Sequence, residues 1–225
     1  MDKYEKVSES IFVGGLLAIV GGFLDVYTYT TRGGIFANAQ TGNIVFLGIN
    51  LAEGNFKKVI EYIIPILAFA MGIIIAEMIR KRYDTKKKVH WRQVILFIEM
   101  IILVCISITP TRYNLLVNAT ISFVCSLQVQ SFRKVDGNPY ATTMCTGNLR
   151  SGTHAIYNYI SNRNNRDNKE LIKSIKYLIV IVFFVIGVCI GNFITQVWGI
   201  NSILFGVVMI LLVMIYIETV VYKKG

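Results

Sequence analysis

Long apolar stretches separated by short polar segments dominate the chain. Each should form a helix that crosses a membrane, since a bilayer core about 30 Å thick requires roughly 20 apolar residues per helix. The pattern therefore predicts an all-α integral membrane protein, with one membrane domain over residues 1–225 and six transmembrane helices. These are predicted at about 11–30, 59–79, 93–109, 113–129, 177–195 and 201–221.

Two further segments, at about 35–52 and 140–161, are only partly apolar, and each contains the tripeptide TGN. Thr41-Gly42-Asn43 and Thr146-Gly147-Asn148 are 105 residues apart. Both halves of the chain follow the same order: one span, one TGN segment and two further spans. The sequence thus predicts two repeats, about 10–110 and 111–223, with an insertion of about nine residues before the second span of the later repeat.

Charge distinguishes two topologies for the TGN segments. If each TGN segment enters and leaves the membrane on one side, the first from outside and the second from inside, eighteen basic residues share the side of the termini. Four lie opposite, namely Arg32, Lys57, Lys58 and Arg112. If both segments cross, the basic segments 80–92 and 162–176 fall on opposite sides. The positive-inside rule favours the first arrangement, with six spans and both termini in the cytoplasm. Three spans per repeat then make the two repeats inverted, with their TGN segments re-entrant or short.

Composition narrows the classes of function. The chain is 54% hydrophobic and carries a net charge of +10, but its basic residues lie between apolar segments, so we expect the lipid bilayer as partner and no nucleic acid. The four cysteines are scattered, which predicts neither disulfides nor a metal site. The first apolar run is predicted to be a retained helix and not a signal peptide. Sequence motifs for nucleotide binding, zinc hydrolysis or serine hydrolysis are absent, so we expect no cofactor and no enzyme activity.

The TGN segments are the first candidate site. Irregular backbone within a bilayer is tolerated where it is buried in protein or lines a wet cavity. Thr41, Asn43, Thr146 and Asn148 could cap short helices whose free N–H groups face a solute, with Gly42, Gly147 and the preceding Asn38 close by. Paired broken helices of this kind form the sites of many secondary transporters. Alternatively, both tripeptides only cap or pack two helices.

Polar side chains within apolar stretches are further candidates, because such residues are costly in a membrane. Asp25 and Glu99 are predicted proton or cation carriers, although Glu99 could equally bond to a neighbouring helix. Gln128 could line a polar path or bond across helices. Arg150 could bind an anion or extend towards the cytoplasm.

Small residues recur along single faces of two predicted helices. Gly14, Ala18 and Gly22 share one face, and Gly187 and Gly191 share another. Small residues allow helices to approach closely. The pattern predicts close packing within the protein or between copies, which would form a homo-oligomer.

Two stretches resemble the YoaK family of bacterial inner-membrane proteins, a family of unknown function. "GGFLDVYTYTTRGGIFANAQTGNIVFLG" is similar to its beginning, and "SLQVQSFRKVDGNPYATTMCTGNLRSG" to its second half. The resemblance covers nearly the whole chain and rests on Asp25, Phe36, Gln128 and the two TGN tripeptides. Leu127 stands where the family pattern often has glycine. The resemblance implies a membrane location but no activity.

Together these features predict a protein that passes or exchanges a small solute or ion across a bacterial cytoplasmic membrane. The TGN segments would form a site near the midplane. A passive channel is the nearest alternative. A scaffold or sensor that transports nothing is the alternative from another class.

Overall fold

The computed structural model describes residues 3–83, 90–161 and 168–223. Most of them lie in helices. In chain order these are α1 (Lys3–Ser8), α2 (Ile11–Thr31), α3 (Gln40–Ala52), α4 (Phe56–Arg82), α5 (Trp91–Ser107), α6 (Asn114–Ser131), α7 (Cys145–Ser161), α8 (Asn168–Trp198) and α9 (Leu204–Lys223). Short 3-10 turns precede α6 and α9, and strands β1 (Lys134–Val135) and β2 (Asn138–Pro139) form a small antiparallel hairpin.

Among the described residues, three stretches are long and apolar enough to cross a membrane: Ile11–Thr31, Phe56–Arg82 and Asn168–Tyr222. The last contains both α8 and α9, which the turn Gly199–Ile203 separates. Large apolar side chains are exposed along one face of α4, at Leu67, Met71, Ile74 and Met78. Apolar faces of this size are typical of surfaces that contact lipid or a partner. The chain is an all-α membrane protein, as predicted.

Helix α2 packs against α8, and α4 packs against α6. Glycines allow both pairs to approach closely. A Cβ atom at Gly22 would lie 2.2 Å from the carbonyl oxygen of Phe184, and one at Gly187 would lie 2.2 Å from that of Ile19. In the other pair, a Cβ at Gly72 would collide with Ser126. The small-residue faces of α2 and α8 are thus occupied within one chain. The homo-oligomer stays a prediction, and it would need other surfaces.

A buried ion pair ties the N-terminal segment to the helices. The guanidinium of Arg92 bonds to the Glu9 carboxylate at 2.9 Å, to the Ser131 carbonyl at 2.9 Å and to the Ser8 hydroxyl. The backbone N–H of Asp136 in the hairpin donates to the Glu9 carbonyl at 2.8 Å. The starts of α2 and α5, the end of α6 and the hairpin therefore meet at one end of the molecule. Of the basic residues that predicted the topology, those at 84–89, 162–167 and 224–225 lie outside the described residues.

The two TGN segments form the short helices α3 and α7. At 1.5 Å per residue, they are about 20 Å and 26 Å long, less than the thickness of a bilayer core. Each lies against the helix that follows it, α3 against α4 and α7 against α8. Helix α3 begins at Gln40, and its N-cap Ala39 has no side-chain bond. The TGN tripeptides therefore lie in the first turns of the helices and supply no N-cap, in contrast to the expected cap.

Candidate functional site

The first turns of α3 and α7 border one cavity of about 650 Å³. Segments from both halves of the chain thus meet at a single space, with α2, α4 and α8 completing its walls. Its lining comprises Asp25, Val26, Tyr29, Phe36, Asn38, Ala39, Gln40, Thr41, Phe69, Thr143, Met144, Cys145, Thr146, Gly147, Phe184 and Val188. Thr41, Thr146 and Gly147 are exposed, so the cavity opens to the outside of the fold.

Asp25 is the acidic residue of this lining, and it is buried on α2. Its Oδ1 accepts a hydrogen bond from the backbone N–H of Asn38 at 2.6 Å. The Asn38 side chain in turn donates to the carbonyl of Gly21 at 3.1 Å, and its Oδ1 has no partner within the described structure. A buried acceptor of this kind normally finds a partner in water or a ligand. Asp25 therefore places a buried carboxyl group at the cavity, with the Asn38 amide beside it.

The positive ends of two helices face the same space. Gln40 and Thr41 open α3, and Cys145 and Thr146 open α7, at equivalent positions 105 residues apart. At α3, the N–H groups of Gln40 and Gly42 donate to the carbonyls of Asn38 and Ala39 at 2.7 and 2.9 Å. The helix dipole adds partial positive charge at both N-termini. The cavity thus combines the partial positive charge of two helix N-termini with the acceptor at Asp25.

Aromatic rings form the apolar part of the lining. Tyr29 and Phe36 stack with their ring centroids 4.8 Å apart, and Phe69 and Phe184 contribute from α4 and α8. Aromatic and aliphatic walls with a few converging polar groups are typical of small-molecule sites. The arrangement suits a small solute with both polar and apolar parts better than a fully hydrated ion.

The asparagines of the two TGN tripeptides do not line the cavity. Asn43 bonds through both side-chain atoms to the backbone of Phe36, donating to its carbonyl at 2.8 Å and accepting from its N–H at 3.2 Å. Asn148 bonds in the same way to Ala141, at 2.6 Å and 3.4 Å. Both asparagines are buried. Each closes the loop that precedes its own helix, and Phe36 and Ala141 are again 105 residues apart.

Other predicted site residues also lie away from the cavity. Gly42 packs against Phe36, since a Cβ there would lie 3.2 Å from that ring. Gln128 donates to the Leu17 carbonyl at 3.1 Å and thereby joins α6 to α2, which is the second of its two predicted roles. Arg150 is exposed on α7.

Glu99 is buried on α5 and is not part of the cavity lining. Neither carboxylate oxygen has a hydrogen-bond partner in the part of the chain that the structure describes. The bond to a neighbouring helix that the sequence allowed is therefore not formed there. Its role as a proton or cation carrier stays a prediction. Within residues 3–83, 90–161 and 168–223, no three His, Cys, Asp or Glu side chains form a group that could hold a metal ion.

The sequence did not single out several lining residues. Gln40 and Cys145 directly precede the two TGN tripeptides and are also 105 residues apart. Including one more residue before each tripeptide would have identified both. No such signal marks Tyr29, Phe69 or Phe184, because an aromatic residue in an apolar helix gives no indication of which face it occupies.

Comparisons with known proteins agree with the predicted resemblance. Residues 13–216 match the sequence profile of the family described as "Protein of unknown function (DUF1275)". The chain is also 26% identical, over 143 residues, to the UPF0700 transmembrane protein YoaK of Bacillus subtilis (strain 168). That match covers 60% of this chain and 62% of the relative, so the chain spans less than two thirds of the relative's length. No solved structure matches. The chain therefore belongs to the DUF1275 family of membrane proteins of unknown function.

Proposed function

We propose that the protein passes or exchanges a small solute or ion across a bacterial cytoplasmic membrane, with the cavity between α3 and α7 as its site. One observation carries the proposal. Two short helices from different halves of the chain begin at one cavity, beside the buried carboxyl group of Asp25. Broken helices that meet in this way are the recurring site of secondary transporters, where their N-termini contact polar groups of the substrate.

The packing supports two structurally equivalent repeats. In the two predicted repeats, α2 corresponds to α6, and α4 corresponds to α8. The packing of α2 against α8 is therefore equivalent to the packing of α6 against α4. Both pairs are extensive, and the asparagine bonds at Asn43 and Asn148 repeat at the same offset. Inverted repeats are built from such equivalent units, which alternate the access to a central site by moving against each other.

Contacts at one end of the molecule support the six-span topology, because they join segments that this topology places on one side. Glu9 bonds to Arg92 at the start of α5, and Asp136, which follows α6, forms an ion pair with Lys176 near the start of α8. If α3 and α7 both crossed the membrane, α5 would begin on the side opposite the N-terminus. The ion pair between Glu9 and Arg92 favours the arrangement in which they share a side.

In this mechanism, Asp25 either takes up a proton or binds a cationic or hydroxyl group of the solute. Thr41 and Thr146 add hydroxyl groups at the opening, and the helix N-termini of α3 and α7 bind electronegative atoms. The aromatic rings enclose the apolar part of the solute. Movement of one repeat against the other would then expose the cavity to alternate sides.

A thiol-labelling experiment tests whether the cavity is wet. Cys145 lines the cavity, whereas Cys189 is exposed on α8, which lies within a stretch long and apolar enough to cross a membrane. In membranes, a variant that keeps only Cys145 should react with a charged, membrane-impermeant methanethiosulfonate at least about tenfold faster than one that keeps only Cys189. Only the hydrated thiolate reacts, and lipid excludes both water and the charged reagent.

Equal rates for the two variants would mean a dry centre and would favour the scaffold. Reaction of Cys145 from one face of oriented vesicles would also identify the side to which the cavity opens.

Flux measurements distinguish the remaining alternatives. Proteoliposomes can be tested for swelling in glycerol or neutral amino acids and for current under a potassium gradient. Saturable flux indicates a carrier, whereas flux proportional to concentration indicates a channel. Thr146→Leu, which fills the opening, should reduce either flux severalfold, while Thr153→Leu on the exposed surface of the same helix should not. Absence of flux for every probe together with a dry Cys145 would contradict transport.

A further inference from the structure

A second cavity, of about 430 Å³, lies between the end of α2, the start of α4 and the start of α6. It is independent of the central cavity and shares none of its lining residues. Four basic residues line it, Arg32, Lys57, Lys58 and Arg112, together with one acidic residue, Glu61. These four are the basic residues that the charge distribution assigns to the side opposite the termini, and all of them converge here.

Arg32 is the most unusual member of this group, because its side chain is completely buried. Its guanidinium donates to the Tyr27 hydroxyl through Nε at 3.0 Å and Nη2 at 2.8 Å, and to the Thr109 carbonyl through Nη1 at 3.0 Å. Within the described residues, no carboxylate forms an ion pair with it. A buried guanidinium usually requires an anionic partner. Two of its five N–H groups remain for such a partner.

The other charges of the cavity do not balance Arg32. Lys58 pairs with Glu61 at 2.6 Å, and these two residues neutralise each other. Arg32, Lys57 and Arg112 therefore leave the cavity with a net charge of about +3. Such a concentration of positive charge around a concave surface attracts an anion with more than one negative oxygen.

Two acceptor atoms limit the kind of anion further. The side-chain oxygens of Asn114 and Asn118 are buried without a hydrogen-bond partner in the described structure. Asn118 is fixed by its own bond to the Arg32 carbonyl at 2.8 Å, so its free oxygen is held in a defined position. The ligand should therefore present hydroxyl hydrogens as well as negative oxygens. Monohydrogen phosphate and a glycerol phosphate headgroup both carry this combination.

We propose that this second cavity, defined by Arg32, Lys57, Arg112 and Asn118, binds a phosphate group, either of free phosphate or of an anionic lipid headgroup. The exposed side chains of Arg112 and Lys57 bind the oxygens, and the buried guanidinium of Arg32 adds positive charge to the wall of the cavity. Asn118 accepts a hydroxyl hydrogen of the ligand, and Asn114 is a second acceptor where the ligand carries a second hydroxyl group. Because the proposal rests on this cavity alone, it does not depend on transport through the central one.

Binding is tested with the full chain in detergent. Inorganic phosphate, titrated against chloride at constant ionic strength, should raise the melting temperature in a saturable manner. The double variant Lys57→Gln/Arg112→Gln should weaken the apparent affinity about tenfold, because it removes two charged donors while leaving the buried Arg32 in position. The matched control is Lys134→Gln, which removes an exposed cation on the hairpin outside this cavity.

A second experiment distinguishes free phosphate from a lipid headgroup. The protein is placed in nanodiscs of phosphatidylcholine with or without phosphatidylglycerol, and lipid that stays bound after extraction is measured by native mass spectrometry. Retention of phosphatidylglycerol that the double variant loses identifies a lipid headgroup, whereas stabilisation by inorganic phosphate alone identifies the free anion. If neither probe binds, or if the double variant binds both as well as Lys134→Gln does, the proposal is wrong.

Discussion

Replacing Gly187 by leucine is expected to prevent the protein from folding normally. A Cβ atom at this position would lie 2.2 Å from the carbonyl oxygen of Ile19 and 2.8 Å from its Cα. These are backbone atoms within α2, so no rotation of a side chain can relieve the collision. Overpacking of a core usually costs 1–3 kcal/mol, and here α2 and α8 must separate, so we expect destabilisation by more than about 3 kcal/mol. The central cavity would be lost as well, because both helices contribute to its walls.

The loss should be visible as a low yield of monodisperse protein in size-exclusion chromatography and a lower melting temperature in detergent. Gly48→Leu on α3 is the matched control, because no atom lies within 4 Å of the Cβ position and the residue is exposed. There leucine has the better helix propensity and should be neutral or slightly stabilising. Gly72→Leu should resemble Gly187→Leu, since it separates α4 from α6. A Gly187→Leu protein that melts with the wild type would contradict the close contact of α2 with α8.

The helices themselves follow from hydropathy. The six apolar stretches correspond to helices of the structure, and the two partly apolar TGN segments form helices of 13 and 17 residues. These features are local, because every backbone group in a lipid environment must be satisfied within its own helix. Even Pro65 does not interrupt α4. The order of these helices was therefore accessible from sequence alone, but not every length, since α4 (Phe56–Arg82) and α8 (Asn168–Trp198) extend beyond their predicted spans.

The sequence did not predict which faces of the helices pack against each other. Hydropathy could not show whether Gly187 packs within the chain or against a second copy, because both contacts need the same small residue. It also could not show that Asn43 and Thr41, two residues apart, have different roles. Asn43 bonds to the loop before its own helix, whereas Thr41 borders the cavity. Arg32 appeared only as one of four basic residues outside the membrane, yet it is buried and faces a cavity. Such differences depend on contacts between segments that are distant in sequence.

Alanine at Asn43 or Asn148 is expected to destabilise the protein whether or not it transports a solute. Asn148→Ala leaves the N–H and carbonyl of Ala141 without their partner, and Asn43→Ala does the same to Phe36. An unsatisfied buried polar group costs about 1–3 kcal/mol, and because Phe36 and Ala141 are half-buried, each variant should lose about 1–3 kcal/mol in all. The loops that position Asn38 and Thr143 at the cavity would loosen at the same time.

Asn50→Ala is the control for this pair, because Asn50 lies on α3 and its side chain donates to the Phe46 carbonyl within the same helix. It should lower the melting temperature much less than Asn43→Ala does. If all three variants have the same melting temperature, the two asparagines do not stabilise their loops. Since a transporter and a scaffold both require these loops, a loss of stability at Asn43 and Asn148 cannot distinguish the two functions. That distinction falls to Cys145 and Thr146, whose side chains border the cavity and whose replacement leaves the loop bonds intact.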